Sequence, residues 1–240
     1  MTGIFLDNIS DKNSLERFNK GVKAPTDGRI MYPLFYIPPY NGKKLITITG
    51  VMPKTHIFSA NHYELEILRL LALWRPNEDI VKNMLSKTKE RLRTTCYGNF
   101  CSTGECFEAS IVTLRFLATV FPNEKDWITL LTKGIRDEID NKPNGVKRRS
   151  GIYFYYWLTL TDIDLPIADI EIKRYQPDLV HTISRSSSYN LEYDKLFNPI
   201  AVYIARNCLS RLPEYNHIKE IEGYAGSDGR FHFDYGQFVI

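Results

Sequence analysis

Three of the four cysteines are evenly spaced, because Cys96, Cys101 and Cys106 follow a C-x4-C-x4-C pattern. Thiolates are strong zinc ligands, and three of them with His62 or another residue would complete a tetrahedral site. Structural zinc sites more often use paired, closer cysteines, and this chain has no second pair. Cys106 also begins an apolar segment, where a small buried side chain is sufficient. We therefore expect no metal and no other cofactor, and the three cysteines are the candidates should a metal bind.

Four residues are candidates for catalysis. His62 titrates near neutrality and could act as a general base. Glu105 and Glu108 are three residues apart, so on a helix they would share one face and could serve as acid and base. Tyr156 could position a substrate. The alternative is structural, since acidic residues are common in the first turn of a helix and a histidine at a helix start is usually a surface residue.

Four further residues are candidates for ligand binding. Arg69 and Arg115 occupy equivalent positions in two similar segments, and together they would form a cationic patch if both face a common axis. The alternative, which we favour, is an ion pair between neighbouring repeats. Arg174 and Trp157 complete the set. Trp157 belongs to an aromatic block at 153–157, most of which we expect to pack in the interior.

The segments that carry these residues recur along the chain. Residues 68–79 and 114–124 share Arg, Leu, Ala, Pro, Asn and Glu at a constant offset of 46. Apolar residues precede each proline at helical spacing, and proline ends a helix because it lacks the amide donor. Two weaker copies follow further along. The four prolines that mark the copies are Pro76, Pro122, Pro166 and Pro213.

The residues after these prolines predict where the second helices begin. Asn77 and Asn123 are predicted to be N-caps. Asn198 and Pro199 are predicted to begin the helix through Val202, since proline is favoured at the first helical position.

The predicted fold is therefore all-α. Residues 61–222 are predicted to form repeated antiparallel helix hairpins, arranged as a partial α/α toroid or a short superhelix. Small irregular or β additions are predicted at both termini. Residues 1–60 would be an extension that could hold a β-hairpin, and residues 223–240 would be an extended tail packed on the helical domain.

Two segments, 151–175 and 104–115, resemble helix pairs of prenyltransferase and squalene-cyclase-like α/α-toroid proteins. The resemblance is one of pattern and covers residues 61–222. It implies a toroid, and an enzyme of that kind would act on a prenyl or terpenoid substrate. The Gln-Trp repeats of the cyclases do not occur in this sequence, so the resemblance implies an architecture rather than an activity.

Composition limits the function classes. A net charge of +3 gives no reason to expect nucleic-acid binding. No apolar run is long enough for a membrane span, and sparse cysteines favour a cytoplasmic location. We expect a helical-repeat protein that binds a small molecule or a protein partner on its concave face. The alternative is an enzyme that acts on a prenyl, terpenoid or carbohydrate substrate in the toroid cavity, so whether the protein is an enzyme stays open.

Overall fold

The computed structural model describes residues 56–141, 151–184, 194–220, 223–225 and 231–233. Over these residues the fold is all-α, as the hydrophobic periodicity predicts. The β-hairpin predicted within residues 1–60 lies outside the described residues. The first described helix begins at His56, before the predicted start of the helical domain at residue 61.

Within the described ranges, α-helices and short 3₁₀ helices alternate with tight turns. In chain order they are α1 (His56–Trp74), α2 (Asp79–Thr94), η1 (Tyr97–Asn99), α3 (Cys106–Val120), α4 (Lys125–Asn141), α5 (Gly151–Thr161), α6 (Pro166–Ser184), α7 (Asp194–Leu209) and η2 (Pro213–Glu220). Two short strands follow, β1 (Gly223–Ala225) and β2 (Phe231–Phe233). They pair antiparallel, with Tyr224 opposite His232. The segment predicted as an extended tail thus contributes one strand pair.

The chain divides into two compact units, with the boundary after Asn141. The first unit contains α1 to α4 and the second contains α5 to α7, η2 and the strand pair. The sequence predicts one repeat domain over residues 61–222, and those boundaries stay a prediction. None of the helices in the described ranges combines the length and apolarity needed to cross a bilayer.

In the first unit, α3 is the central helix. Its side chains are buried on every side from Ala109 to Ala118. It packs against α1 and α4, whereas α2 and α4 each bury a single stripe, as amphipathic helices on an outer layer do. Helices α1 and α2 are antiparallel, because a tight turn joins them and Glu64 in the middle of α1 contacts Arg91 near the end of α2.

The turns of both hairpins in this unit are four-residue β-turns. The amide of Glu78 donates to the carbonyl of Arg75, and the amide of Glu124 donates to that of Phe121. Proline and asparagine occupy the two central positions of each turn. Proline is favoured at the first of them, because its ring already holds φ at the value that the turn requires. The predicted caps Asn77 and Asn123 are therefore wrong, since these residues belong to the turns.

In the second unit, α5 is the buried helix. Its residues from Ile152 to Leu160 are all buried, while α6 buries one face. Helix α7 packs against both. It begins at Asp194, so the predicted start at Asn198 and Pro199 is wrong and Pro199 lies inside the helix. Pro166 and Pro213 each begin a helix directly after a turn.

Candidate functional site

The three evenly spaced cysteines come together at the surface of the first unit. The Sγ atoms of Cys96, Cys101 and Cys106 all lie within 4.8 Å of one another. The Cys96 and Cys106 sulfurs are 3.6 Å apart. Cys96 is exposed, and the other two are partly buried. Among the histidine, cysteine and acidic side chains of the described ranges, these three cysteines form the group that could share one metal ion. His62, which the sequence offered as a fourth ligand, does not belong to this group.

The segment between α2 and α3 brings the thiols together. Cys96 precedes η1, Cys101 follows it, and Cys106 is the first residue of α3. Ser110, one turn into α3, connects two of these positions. Its Oγ accepts a hydrogen bond from the Cys101 amide at 3.2 Å and donates one to the Cys106 carbonyl at 2.9 Å. The spacing of the cysteines is thus fixed by hydrogen bonds as well as by the chain.

The same segment contains an unusual backbone conformation. Phe100 has a φ of 69°, which among the described residues no other non-glycine shares. Positive φ in a residue with a Cβ costs on the order of 1–3 kcal/mol and persists only where the surroundings enforce it. The Phe100 ring lies directly over Gly134 of α4, where a Cβ would be 2.5 Å from the ring. The turn that presents Cys101 is therefore held by tertiary packing.

A second anchor lies at Gly98. A Cβ there would be 1.9 Å from the Leu92 carbonyl oxygen, so only glycine fits. The Gly98 carbonyl accepts a hydrogen bond from Trp127 Nε1 at 2.5 Å. The Asn99 side-chain amide donates to the carbonyls of Arg93 and Thr95. These contacts attach the segment to both α2 and α4.

The thiols differ in their ease of ionisation. The Thr103 backbone amide hydrogen bonds to the Cys101 sulfur and lowers the pKa of that thiol. Burial, together with the neighbouring Cys96 and Cys101 sulfurs, raises the pKa of Cys106 to about 12. A reduced cluster thus keeps Cys106 protonated at neutral pH. A cation would offset the repulsion between adjacent thiolates.

A second polar cluster lies inside the first unit, between α1 and α3. The side chains of Arg69 and Arg115 are each 1% exposed. Both contact the Glu66 carboxylate, Arg69 through Nε at 3.2 Å and Arg115 through Nη1 at 3.0 Å. The two arginines proposed as ligand-binding residues are thus brought together on one acid. Their role in binding a ligand stays a prediction.

His62 lies next to this cluster on α1. Burial lowers the pKa of its imidazole, and Arg115 acts in the same direction while Glu66 opposes it. The side chain is therefore neutral near pH 7. A neutral imidazole beside a carboxylate has the chemistry of a general base.

A further ion pair joins the middle of α1 to the C-terminal end of α2. Arg91 Nη2 lies 3.0 Å from Glu64 Oε1, and the Glu64 side chain is 2% exposed. Next to it, the Tyr97 hydroxyl donates to Asn61 Oδ1 at 2.9 Å. Sequence reasoning missed Glu64 and Glu66. The i, i+3 spacing of Glu66 and Arg69 was the available signal, because residues so spaced face each other on a helix.

The two glutamates proposed as an acid–base pair lie at the start of α3. Glu105 occupies the N-cap position without a side-chain capping hydrogen bond, and Glu108 lies in the first turn. Both are partly buried. Carboxylates at these positions stabilise a helix through its dipole, whichever further role they have.

The remaining candidates belong to the second unit. Tyr156 and Trp157 are fully buried in α5, and Arg174 is exposed on α6. The Tyr156 and Tyr175 ring centroids are 6.2 Å apart, and those of Tyr153 and Trp157 are 5.4 Å apart, both edge to face. Most of the aromatic block thus packs in the interior. Burial also raises the pKa of Tyr175.

Arg211 fastens this unit and was missed by sequence reasoning. Its Nη1 donates to the carbonyls of Leu160 and Ile163, where α5 ends. Its Nη2 lies 2.8 Å from the Asp169 carboxylate in the first turn of α6. One guanidinium thus satisfies carbonyls at a helix end and pairs with an acid on the next helix.

Comparisons with protein-family models, with curated proteins and with solved structures found no match for this chain.

Proposed function

We propose that the protein is a non-catalytic helical-hairpin module that binds a small molecule or a protein partner, with its hairpins arranged as a partial α/α toroid. The observation that carries the proposal is the position of Glu66 between two buried arginines. These charged side chains contact one another across α1 and α3 and hold the two helices together. A scaffold fixed in this way presents a surface that loses little entropy on binding.

Within the first unit, the accessible surface favours the second helices of the two hairpins as the binding region. Two large aliphatic side chains are exposed there, each in the first half of its helix: Ile80 of α2 and Leu130 of α4. Exposed aliphatic side chains mark a partner surface where they join into a larger apolar patch. The concave face expected from the sequence is the second region to test. Helices α3 and α5 are each buried on all sides, so they offer a partner less accessible surface than the second helices of the hairpins do.

Native mass spectrometry of the purified full chain tests the proposal, followed by affinity measurements with whatever ligand or partner co-purifies. We expect the co-purifying ligand or partner to be present at a fixed stoichiometry and, once removed, to bind the chain again reversibly. Substitution of Leu130 by Ser should weaken binding if the outer helices are used, with Leu73→Ser of α1 as the control for loss of one exposed leucine. A chain that carries no ligand and turns over a candidate substrate would contradict the proposal.

One observation favours the alternative, an enzyme for a prenyl, terpenoid or carbohydrate substrate. His62 is kept neutral beside the Glu66 carboxylate, as a general base requires. If that alternative holds, His62→Gln abolishes turnover while the helical content by circular dichroism is unchanged. Turnover that survives the substitution would exclude His62 as the base.

A further inference from the structure

We propose that Cys96, Cys101 and Cys106 bind one zinc ion through three thiolates, with the fourth coordination position taken by a ligand from outside the cluster. The inference depends on the convergence of the three sulfurs and on the way the surrounding segment is held. It is independent of the partner-binding function proposed above.

The sulfur positions fit a tetrahedral ion. A Zn–S distance of about 2.3 Å places two sulfurs of a tetrahedral site about 3.8 Å apart. Cys96 and Cys106 are separated by 3.6 Å, and no pair in the cluster exceeds 4.8 Å. The longest separation therefore needs to shorten by about 1 Å at most. Rotations of the cysteine side chains are large enough for a movement of this size, and the exposed Cys96 has room for one.

The surrounding segment is held in place by contacts within the first unit. Positive φ at Phe100 turns the chain so that Cys101 faces the other thiols, and the Phe100 ring is fixed over Gly134. Ser110 links the Cys101 amide to the Cys106 carbonyl. A costly backbone conformation maintained by tertiary contacts beside a group of ligating atoms is typical of a binding site.

Zinc suits this donor set better than a disulfide does. A disulfide would use two sulfurs at about 2.05 Å and leave the third without a role, whereas zinc uses all three. Zinc accepts thiolates readily, and sites with three protein ligands keep one position for water or another small ligand. Exposure of Cys96 leaves the cluster accessible to solvent on that side.

The test is a zinc titration of the full chain, stripped of metal, reduced with a phosphine and competed against a chromophoric chelator. We expect one zinc per chain. Substitution of Cys96, Cys101 or Cys106 by Ser should each weaken zinc binding by more than about 100-fold, since even outer contacts of a metal site are worth about 10–100-fold. Cys208→Ser is the matched control. That thiol is buried in the second unit, where it donates to the Trp157 carbonyl, so zinc binding should be unchanged.

Thermal unfolding by circular dichroism separates lost binding from lost folding. Zinc should raise the Tm of the wild-type chain, because a ligand that binds only the folded state stabilises it. Cys96→Ser, at an exposed position, should keep the metal-free Tm and gain nothing from zinc. Zinc bound at well below one equivalent, or bound as tightly by Cys96→Ser as by the wild-type chain, would overturn the proposal.

Discussion

The two units are built from the same kind of helix hairpin, yet different chemistry holds their interiors. In the first unit, Glu66 joins two buried arginines between α1 and α3, and Glu64 pairs with Arg91. In the second unit, aromatic rings pack around Trp157 and Tyr175 in the interior, and the Arg211–Asp169 ion pair is partly exposed. Charges in an interior specify which helices pair, because a shifted register would leave a charge buried alone. Aromatic rings instead specify the packing of helices through their shape and their preferred ring geometries.

The difference also separates reactive side chains from inert ones. The first unit carries the three-cysteine cluster and the neutral His62. The described part of the second unit carries one cysteine, Cys208. Burial raises the pKa of its thiol and so keeps the thiol protonated. We therefore expect changes in the first unit to affect both stability and chemistry, and changes in the interior of the second unit to affect stability alone.

The largest effect should come from the second unit. Trp157→Ala removes a fully buried ring that contacts Tyr153, Phe154 and Tyr175. We expect a loss of about 3–5 kcal/mol in the free energy of unfolding, as for other large aromatic truncations. Urea denaturation followed by circular dichroism measures it, with Trp157→Phe as the milder control. A loss below about 1 kcal/mol would show that ring packing does not hold this unit.

The same substitution reports on the first unit through fluorescence. Trp74 and Trp127 both belong to that unit, so they are the tryptophans that remain when Trp157 is replaced. If the units unfold independently, the fluorescence transition keeps the wild-type midpoint of the first unit while the circular dichroism signal shifts. Coincident shifts would show that the two units unfold together.

In the first unit, Glu66→Gln should lower the free energy of unfolding by about 3 kcal/mol, because it removes the carboxylate that two buried guanidinium groups contact. Glu78→Gln is the control. The Arg75–Glu78 pair is partly exposed to solvent, so that change should cost less than about 1 kcal/mol. Equal losses from the two substitutions, measured by urea denaturation, would contradict the role given to Glu66.

The pattern of helices could be predicted from the sequence, whereas the details of the junctions could not. Apolar spacing and proline positions were enough to predict hairpins around Pro76 and Pro122, and both turns occur there. Asn77 and Asn123 were misassigned as caps, because a Pro-Asn pair suits the centre of a β-turn as well as a helix start. Pro199 was misplaced because its position near a helix start did not reveal how far the helix extends upstream.

The candidate sites were less predictable for a different reason. The cysteine spacing marked the three thiols, but their convergence depends on Phe100 adopting positive φ, which no sequence rule anticipates. Arg69 and Arg115 were recognised by their repeat offset. Their shared partner Glu66 comes from a three-dimensional contact between α1 and α3. Local spacing thus identifies residue types, and tertiary packing decides which of them meet.

A smaller effect should appear in the pH dependence of stability. The pKa of His62 in the folded chain is lowered below its usual value of 6.5, mainly by burial. The unfolded chain therefore takes up a proton at a higher pH than the folded chain, and the free energy of unfolding falls as the pH drops below about 6.5. His62→Gln should give a flatter profile between pH 7 and pH 5 in urea denaturation. Identical slopes for the two chains would contradict this assignment.

X-ray absorption at the zinc edge of the fully reduced chain, loaded with one equivalent of zinc, tests the central claim that the first unit gathers its thiols into one site. The account predicts three sulfur scatterers at about 2.3 Å and one nitrogen or oxygen at about 2.0 Å. A coordination sphere of nitrogen and oxygen alone, or one with a single sulfur, would contradict it.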